Sequence, residues 1–204
     1  MMRASVLASL LLLGGCISLF PEPPPPPRIF ALEAGEVERL QGAPIDAAIA
    51  VSQPSGERSI LGTDVVWRTG DQLAFVEQMQ WSNRAEFALQ SMLNETMLRQ
   101  GRFTSSVRSG EARAGYEIRW EVLDFEVREE NMRARFAADV RLVRYPGRRI
   151  VATEIVPAEP PGSDRSANGA AQALAPAARE GRARIGMFAA DAAAQAEAEA
   201  AASE

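Results

Sequence analysis

The sequence predicts an α+β fold: a single domain built from a mainly antiparallel or mixed β-sheet and two helical segments. Three observations carry this. Apolar residues alternate at period two through most of the middle of the chain. They switch to helical spacing once, between Asn83 and Gly101. Beyond residue 168 the chain becomes alanine-rich and helix-prone.

The amino terminus reads as an address rather than a part of the fold. Arg3 adds positive charge, Ala4 to Leu13 is a short apolar run, and Gly14 and Gly15 lead into Cys16. This is the layout of a secretory signal. The run is about half the roughly twenty residues that a bilayer-spanning helix needs. Leu13, Gly14, Gly15 and Cys16 resemble a bacterial lipobox, in which a peptidase cuts before a lipid-modified cysteine. That resemblance implies a diacylglycerol thioether on Cys16 and a further acyl group (typically palmitate) on its amine. Two or more chains give stable anchoring at about 0.8 kcal/mol per buried methylene. The residue after the cysteine is Ile17 rather than aspartate. This favours the outer membrane, with the periplasmic face of the inner membrane as the alternative. The expected organisation is a signal peptide over 1–15, a lipidated cysteine and proline-rich tether over 16–27, a core over 28–160 and a C-terminal helix and tail over 161–204. Pro23 to Pro27 favour extended polyproline II, a semi-rigid spacer between lipid and domain.

Composition excludes much chemistry. The chain has 204 residues, net charge −5, no histidine and one cysteine, and all 22 of its basic residues are arginine. Cysteine–histidine, serine–histidine and serine–lysine nucleophile systems therefore lack members, as do zinc sites built on histidine and cysteine. A carboxylate-only hydrolase stays open, but no pair of carboxylates stands out. The expectation is a non-enzymatic protein with no metal and no cofactor beyond the lipid on Cys16. An acidic chain without a basic stripe is not a nucleic-acid binder.

Along the domain, Arg28 to Leu32 reads as a short strand and Ala47 to Val51 as a buried one. Asp64–Arg68 and Gln72–Gln80 form a hairpin around Thr69-Gly70-Asp71. In its second arm Leu73 and Phe75 face one way, and Ala74, Val76 and Gln78 the other. Ala85, Leu89, Leu93 and Met97 form a helical stripe with Ala88 and Met92 beside it. Asn83 and Glu86 suggest a capping box, Gly101 a C-cap, and Phe103 the start of the next strand. Tyr116, Ile118, Trp120 and Val122 alternate, then Phe125 and Val127 continue in the other phase, so a bulge is expected near Val122. Strands follow at Phe136–Leu142 and Ile150–Val156, joined at Tyr145-Pro146-Gly147-Arg148, and complete an antiparallel meander. Pro157 to Asn168 reads as a link. Pro176, Gly181 and Gly186 should interrupt the final helix. Leu174, Ile185, Met187 and Phe188 should pack on the sheet, and the tail after Ala189 should be solvated or frayed.

Of the aromatics, Phe75, Trp81, Trp120 and Phe125 are expected in the core. Trp67 and Arg68, next to a hairpin tip, are the candidate partner contacts, since tryptophan and arginine are enriched at interfaces.

The order and spacing of several stretches resemble the ABC-type transport auxiliary lipoprotein family. They are the lipobox, the proline-rich linker, Arg28-Ile29-Phe30-Ala31-Leu32, Ile49 to Pro54, Thr63 to Arg68, the arm ending in Trp81, Gly101-Arg102-Phe103, Tyr116 and Asp124-Phe125-Glu126. The resemblance implies an antiparallel or mixed β-sheet with two helices packed on one face. It implies an accessory role beside an ATPase, a permease and a mammalian-cell-entry (MCE) domain protein that together move lipid between membranes; a homo-oligomer stays open. The alternative is a structural or assembly lipoprotein of the outer membrane. The carboxyl end departs from the family pattern, because alanine replaces the large apolar residues that usually line its last helix.

Overall fold

A computed structural model describes residues 25–160, 162, 164 and 166–203. The signal-peptide and lipobox residues, including Leu13, Gly14, Gly15 and Cys16, lie outside the described residues. In chain order the elements are β1 (Arg28–Phe30), β2 (Ile45–Val51), β3 (Ser55–Gly56), α1 (Arg58–Leu61), β4 (Asp64–Thr69), β5 (Gln72–Trp81), α2 (Ala85–Gln100), β6 (Phe103–Arg108), β7 (Tyr116–Arg128), β8 (Arg133–Arg144), β9 (Arg149–Ala158) and α3 (Ala167–Ala202).

The strands form one nine-stranded mixed sheet around β7. Along one edge β7 pairs antiparallel with β8, and β8 with β9, which is the expected meander. Along its other edge β7 meets three strands in turn, all parallel: β2 at Tyr116–Ile118, β3 at Glu121–Val122 and β4 at Val127–Arg128. Outside these lie β6 on β2, and β5 and then β1 on β4. One long strand thus ties the meander to two wings.

The bulge falls at Leu123, where the register with β8 skips one residue between Val122 and Asp124. It keeps Tyr116, Ile118, Trp120 and Val122 on the same side as Phe125 and Val127, all buried, and leaves Leu123 exposed. The β5 arm changes phase too, which local alternation did not reveal. Gln78 adopts φ +56, so Val76, Met79 and Trp81 are buried while Ala74 and Gln78 are not. Phe75 is a correction: it is 57% exposed rather than core. Trp81, Trp120 and Phe125 are core, with Trp81 stacked on Phe125 at 5.7 Å between ring centroids.

α2 buries the expected stripe of Ala85, Leu89, Met92, Leu93 and Met97. Its start differs from the expected capping box. Arg84 is the N-cap without a side-chain bond, Asn83 Oδ1 accepts from the Arg84 amide, and Glu86 pairs with Arg84 at 2.8 Å. Gly101 takes the left-handed C-cap conformation at φ +69. β1 ends at Phe30, two residues short of the expected strand, and β9 runs on to Ala158.

The largest correction concerns the carboxyl end. α3 is one continuous helix of 36 residues with Pro176 inside it. Its glycines are contact points rather than breaks. A Cβ on Gly181 would overlap the Phe136 ring, and one on Gly186 would overlap the Gln100 carboxamide. The tail is helical, and as far as Ala196 it is solvated on its outer face only: Ala190, Ala193 and Ala196 are buried on the inner face, while most residues beyond Ala196 are exposed. Small side chains let the helix lie close on β8, β9 and α2, which replaces the bulky apolar seam with close backbone approach. Leu174 and Ile185 are fully buried and Phe188 packs at the core edge, but Met187 is 43% exposed.

Residues 31–44 carry no helix or strand and lie as a strap against α2 and α3. Arginines of the two helices and of the turn after α2 hold it through backbone carbonyls. Arg182 donates to Ala34 O and to Glu36 O, Arg99 to Gly35 O, Arg179 to Glu33 O, and Arg102 to Gln41 O and Ala43 O. A strap without secondary structure must satisfy its carbonyls elsewhere, and long guanidinium side chains reach them.

Candidate functional site

The two residues singled out as partner contacts are adjacent in sequence but not in space. Successive residues of a strand point to opposite faces. Trp67 pairs with Val127 and Ala74, packs half-buried at the edge of the core, and lines a depression of about 250 Å³ with Thr69 and Glu129. Arg68 faces the other way. Its Nε donates to Glu126 Oε1 at 2.6 Å, and Arg128 approaches the same oxygen at 3.6 Å. Glu126 is fully buried, and its bond to Arg68 holds that guanidinium above its ordinary pKa despite partial burial. Arg68 is therefore committed to an internal ion pair.

That ion pair belongs to a charged layer on the face of the sheet away from α3. Asp124 accepts from Arg135 at 2.7 Å and from Arg128 at 3.5 Å, and Arg135 also binds Glu159. Thr69 binds Glu129, and the Gly70 amide donates to Glu130 at 2.9 Å, tying the hairpin tip to the β7–β8 turn. Most of these groups are partly exposed, so the layer sets register more than stability.

A larger cavity lies at the other end of β7, and sequence reasoning did not find it. It is a groove of about 690 Å³ between the β6–β7 loop and the β8–β9 turn, with Ala50, Ala112, Ala114 and Pro146 as its apolar part. At its base Glu117, only 6% exposed, accepts hydrogen bonds from Ser109 Oγ at 2.5 Å, Tyr145 Oη at 2.5 Å and Arg119 Nε at 3.1 Å. Arg119 also donates to Tyr145 Oη at 3.1 Å. Arg113 and Arg148 line the groove as well, both exposed. The one available signal was Glu117 and Arg119, polar residues interleaved with Tyr116, Ile118 and Trp120. Their partners Ser109 and Tyr145 come from separate turns, which alternation does not join.

Burial alone would raise the Glu117 pKa, but the bonds from Ser109, Tyr145 and Arg119 outweigh it and hold the carboxyl below its ordinary value. A depressed carboxylate contributes stability above its unfolded pKa and loses it as pH falls through the folded value. Glu117→Gln is therefore expected to flatten the loss of stability on acidification below the ordinary carboxylate range. Denaturant titrations of both proteins at several acidic pH values measure this; parallel curves would remove Glu117 as a cause. Beside it, Tyr116 Oη donates to Glu197 Oε1 at 2.5 Å, which pins the end of α3. Burial and that bond push the Tyr116 phenol up to about 12.

Among the described residues no cluster of three or more metal-ligating side chains occurs, and no helix is long and apolar enough to cross a membrane.

Residues 30–186 match the family described as the ABC-type transport auxiliary lipoprotein component. The chain belongs to this family. The match runs from the end of β1 into α3, so the first half of the alanine-rich helix is part of the family's domain despite its composition. Solved structures agree on the fold. A Xanthomonas campestris protein of the DUF330 family superposes with TM-score 0.75 at 19% identity, over 83% of this chain and 99% of that one. A second, uncharacterised protein gives TM-score 0.64 at 12% identity, over 80% and 99%. No curated protein matches the chain in sequence. An auxiliary lipoprotein of this family serves as an accessory to an ABC-type transport system.

Proposed function

We propose that this auxiliary lipoprotein is the non-enzymatic, membrane-anchored accessory of an MCE-associated lipid transport system. The observation that carries the reading is the family match across most of the folded domain. Its partners are an MCE-domain protein with the permease and ATPase of the same system. Lipid on Cys16 anchors it at the outer membrane, facing the periplasm, and the proline-rich segment through Pro27 spaces the domain from the surface. The half-exposed Trp67 supplies a contact to the partner. The lack of histidine and lysine supports a docking part rather than a catalyst.

Cys16→Ser is expected to move the protein from the membrane to the soluble fraction. It should also abolish its recovery with an MCE-domain protein from detergent extracts of cross-linked cells. Fractionation and affinity capture of the parent and variant measure both effects. Recovery of the parent with outer-membrane assembly proteins and no MCE protein would favour a structural role instead.

A further inference from the structure

The groove at the start of β7 has a charge character opposite to that of the chain. The protein carries net charge −5, yet three guanidiniums, Arg113, Arg119 and Arg148, line this cavity against one carboxylate, Glu117. That carboxylate is already saturated by Ser109, Tyr145 and Arg119. Arg113 and Arg148 have no hydrogen-bond or ion-pair partner among the described residues, whereas Arg68, Arg135 and Arg141 are each paired with a carboxylate. Arg148 is also held at φ +54, a conformation that a residue with a Cβ rarely adopts. The flanking turns keep the mouth open: Gly110 and Gly147 sit at φ +90 and +104, with nothing within 4 Å of a Cβ at either.

Free guanidiniums in a recess recognise oxyanions, and their planar forks match phosphate oxygens in pairs. At about 690 Å³ the cavity is far larger than a bare oxyanion and lies in the range of organic ligand sites. We infer that this groove binds a phosphate ester, with its phosphate at Arg113 and Arg148 and its carbon body on Ala50, Ala112, Ala114 and Pro146. The phosphate can come from a lipid headgroup or from a soluble ester. The site lies in the domain itself and does not depend on the identity of the transport partners.

The test uses the full-length lipoprotein in a neutral detergent. Calorimetry compares glycerol 3-phosphate with glycerol, and micellar phosphatidic acid with diacylglycerol of the same chain length. At least one phosphate probe is expected to bind in preference to its neutral analogue, and more weakly at high salt. The Arg113→Ala/Arg148→Ala variant should lose about tenfold or more in affinity. Its melting temperature should be unchanged, because neither side chain has an internal partner to lose. Binding of glycerol 3-phosphate would assign a soluble ester; binding of phosphatidic acid alone would assign a lipid headgroup. Equal binding of phosphate and neutral probes, no binding of either phosphate probe, or full affinity in the double variant would overturn the inference.

Discussion

Gly181→Val is expected to destabilise the domain by about 3 kcal/mol or more, because added core volume typically costs 1–3 kcal/mol and here meets an aromatic ring directly. A Cβ at Gly181 would overlap Phe136, which is 1% exposed and sits edge-on to Phe125 at 6.3 Å between centroids. The ring has little room to retreat, since Phe125 in turn stacks on Trp81. In an exposed helix the glycine would be a liability, and alanine there would gain about 1 kcal/mol. The sign is reversed here by the close approach of α3 to β8. For a domain of this size the loss corresponds to a fall in melting temperature of about 10 °C. The coupling is specific: Phe136→Leu should recover part of the loss caused by Gly181→Ala, seen as a non-additive double-mutant cycle. Additive effects, or a Gly181→Val protein that melts with the parent, would refute the packing described here.

Arg182→Ala is expected to cost about 2–4 kcal/mol, since it removes several charge-assisted hydrogen bonds and leaves buried acceptors unpaired. The Arg182 guanidinium is 5% exposed and reaches Thr96 Oγ1 on α2 and the carbonyls of Ala34 and Glu36 in the strap. Burial and the neighbouring Arg179 lower its pKa, so the carbonyl acceptors, not a counter-ion, hold the charge in place. The effect should be local as well as global. Amides of residues 33–41 should exchange faster than those of β7, and proteolysis should begin in the strap. Arg182→Lys should not restore protection, because one ammonium cannot fork between separated carbonyls. Uniform exchange across the domain would show that the strap is held by its apolar residues instead.

The sequence by itself determined the class of fold, the positions of most strands and the α2 helix. Period-two and helical spacing are local properties, and β7, β8 and α2 write them clearly in Tyr116–Val122, Phe136–Leu142 and Ala85–Met97. The family followed from the order of the same stretches. Where a single residue changes the backbone, as at Leu123, the pattern revealed the change because large apolar residues flank it. At Gln78 it did not, since Gln and Glu surround the turn of phase.

Only the tertiary structure decided what α3 does. Its alanines and glycines have too weak a hydrophobic signal to show a buried face. Their role depends on the shape of Phe136 and Gln100, residues far away in the chain. The same holds for the charged groups. Arg68 read as an available contact until Glu126 appeared across the sheet, and Glu117, Ser109, Tyr145, Arg113 and Arg148 become one groove only when two turns meet. Alternation is set by neighbours along a strand, whereas a site is set by which turns the sheet brings to the same end. Here the antiparallel register of β7 and β8 sets Tyr116 opposite Arg144, and the Tyr145 amide donates to Gly115 O, which brings the two turns together.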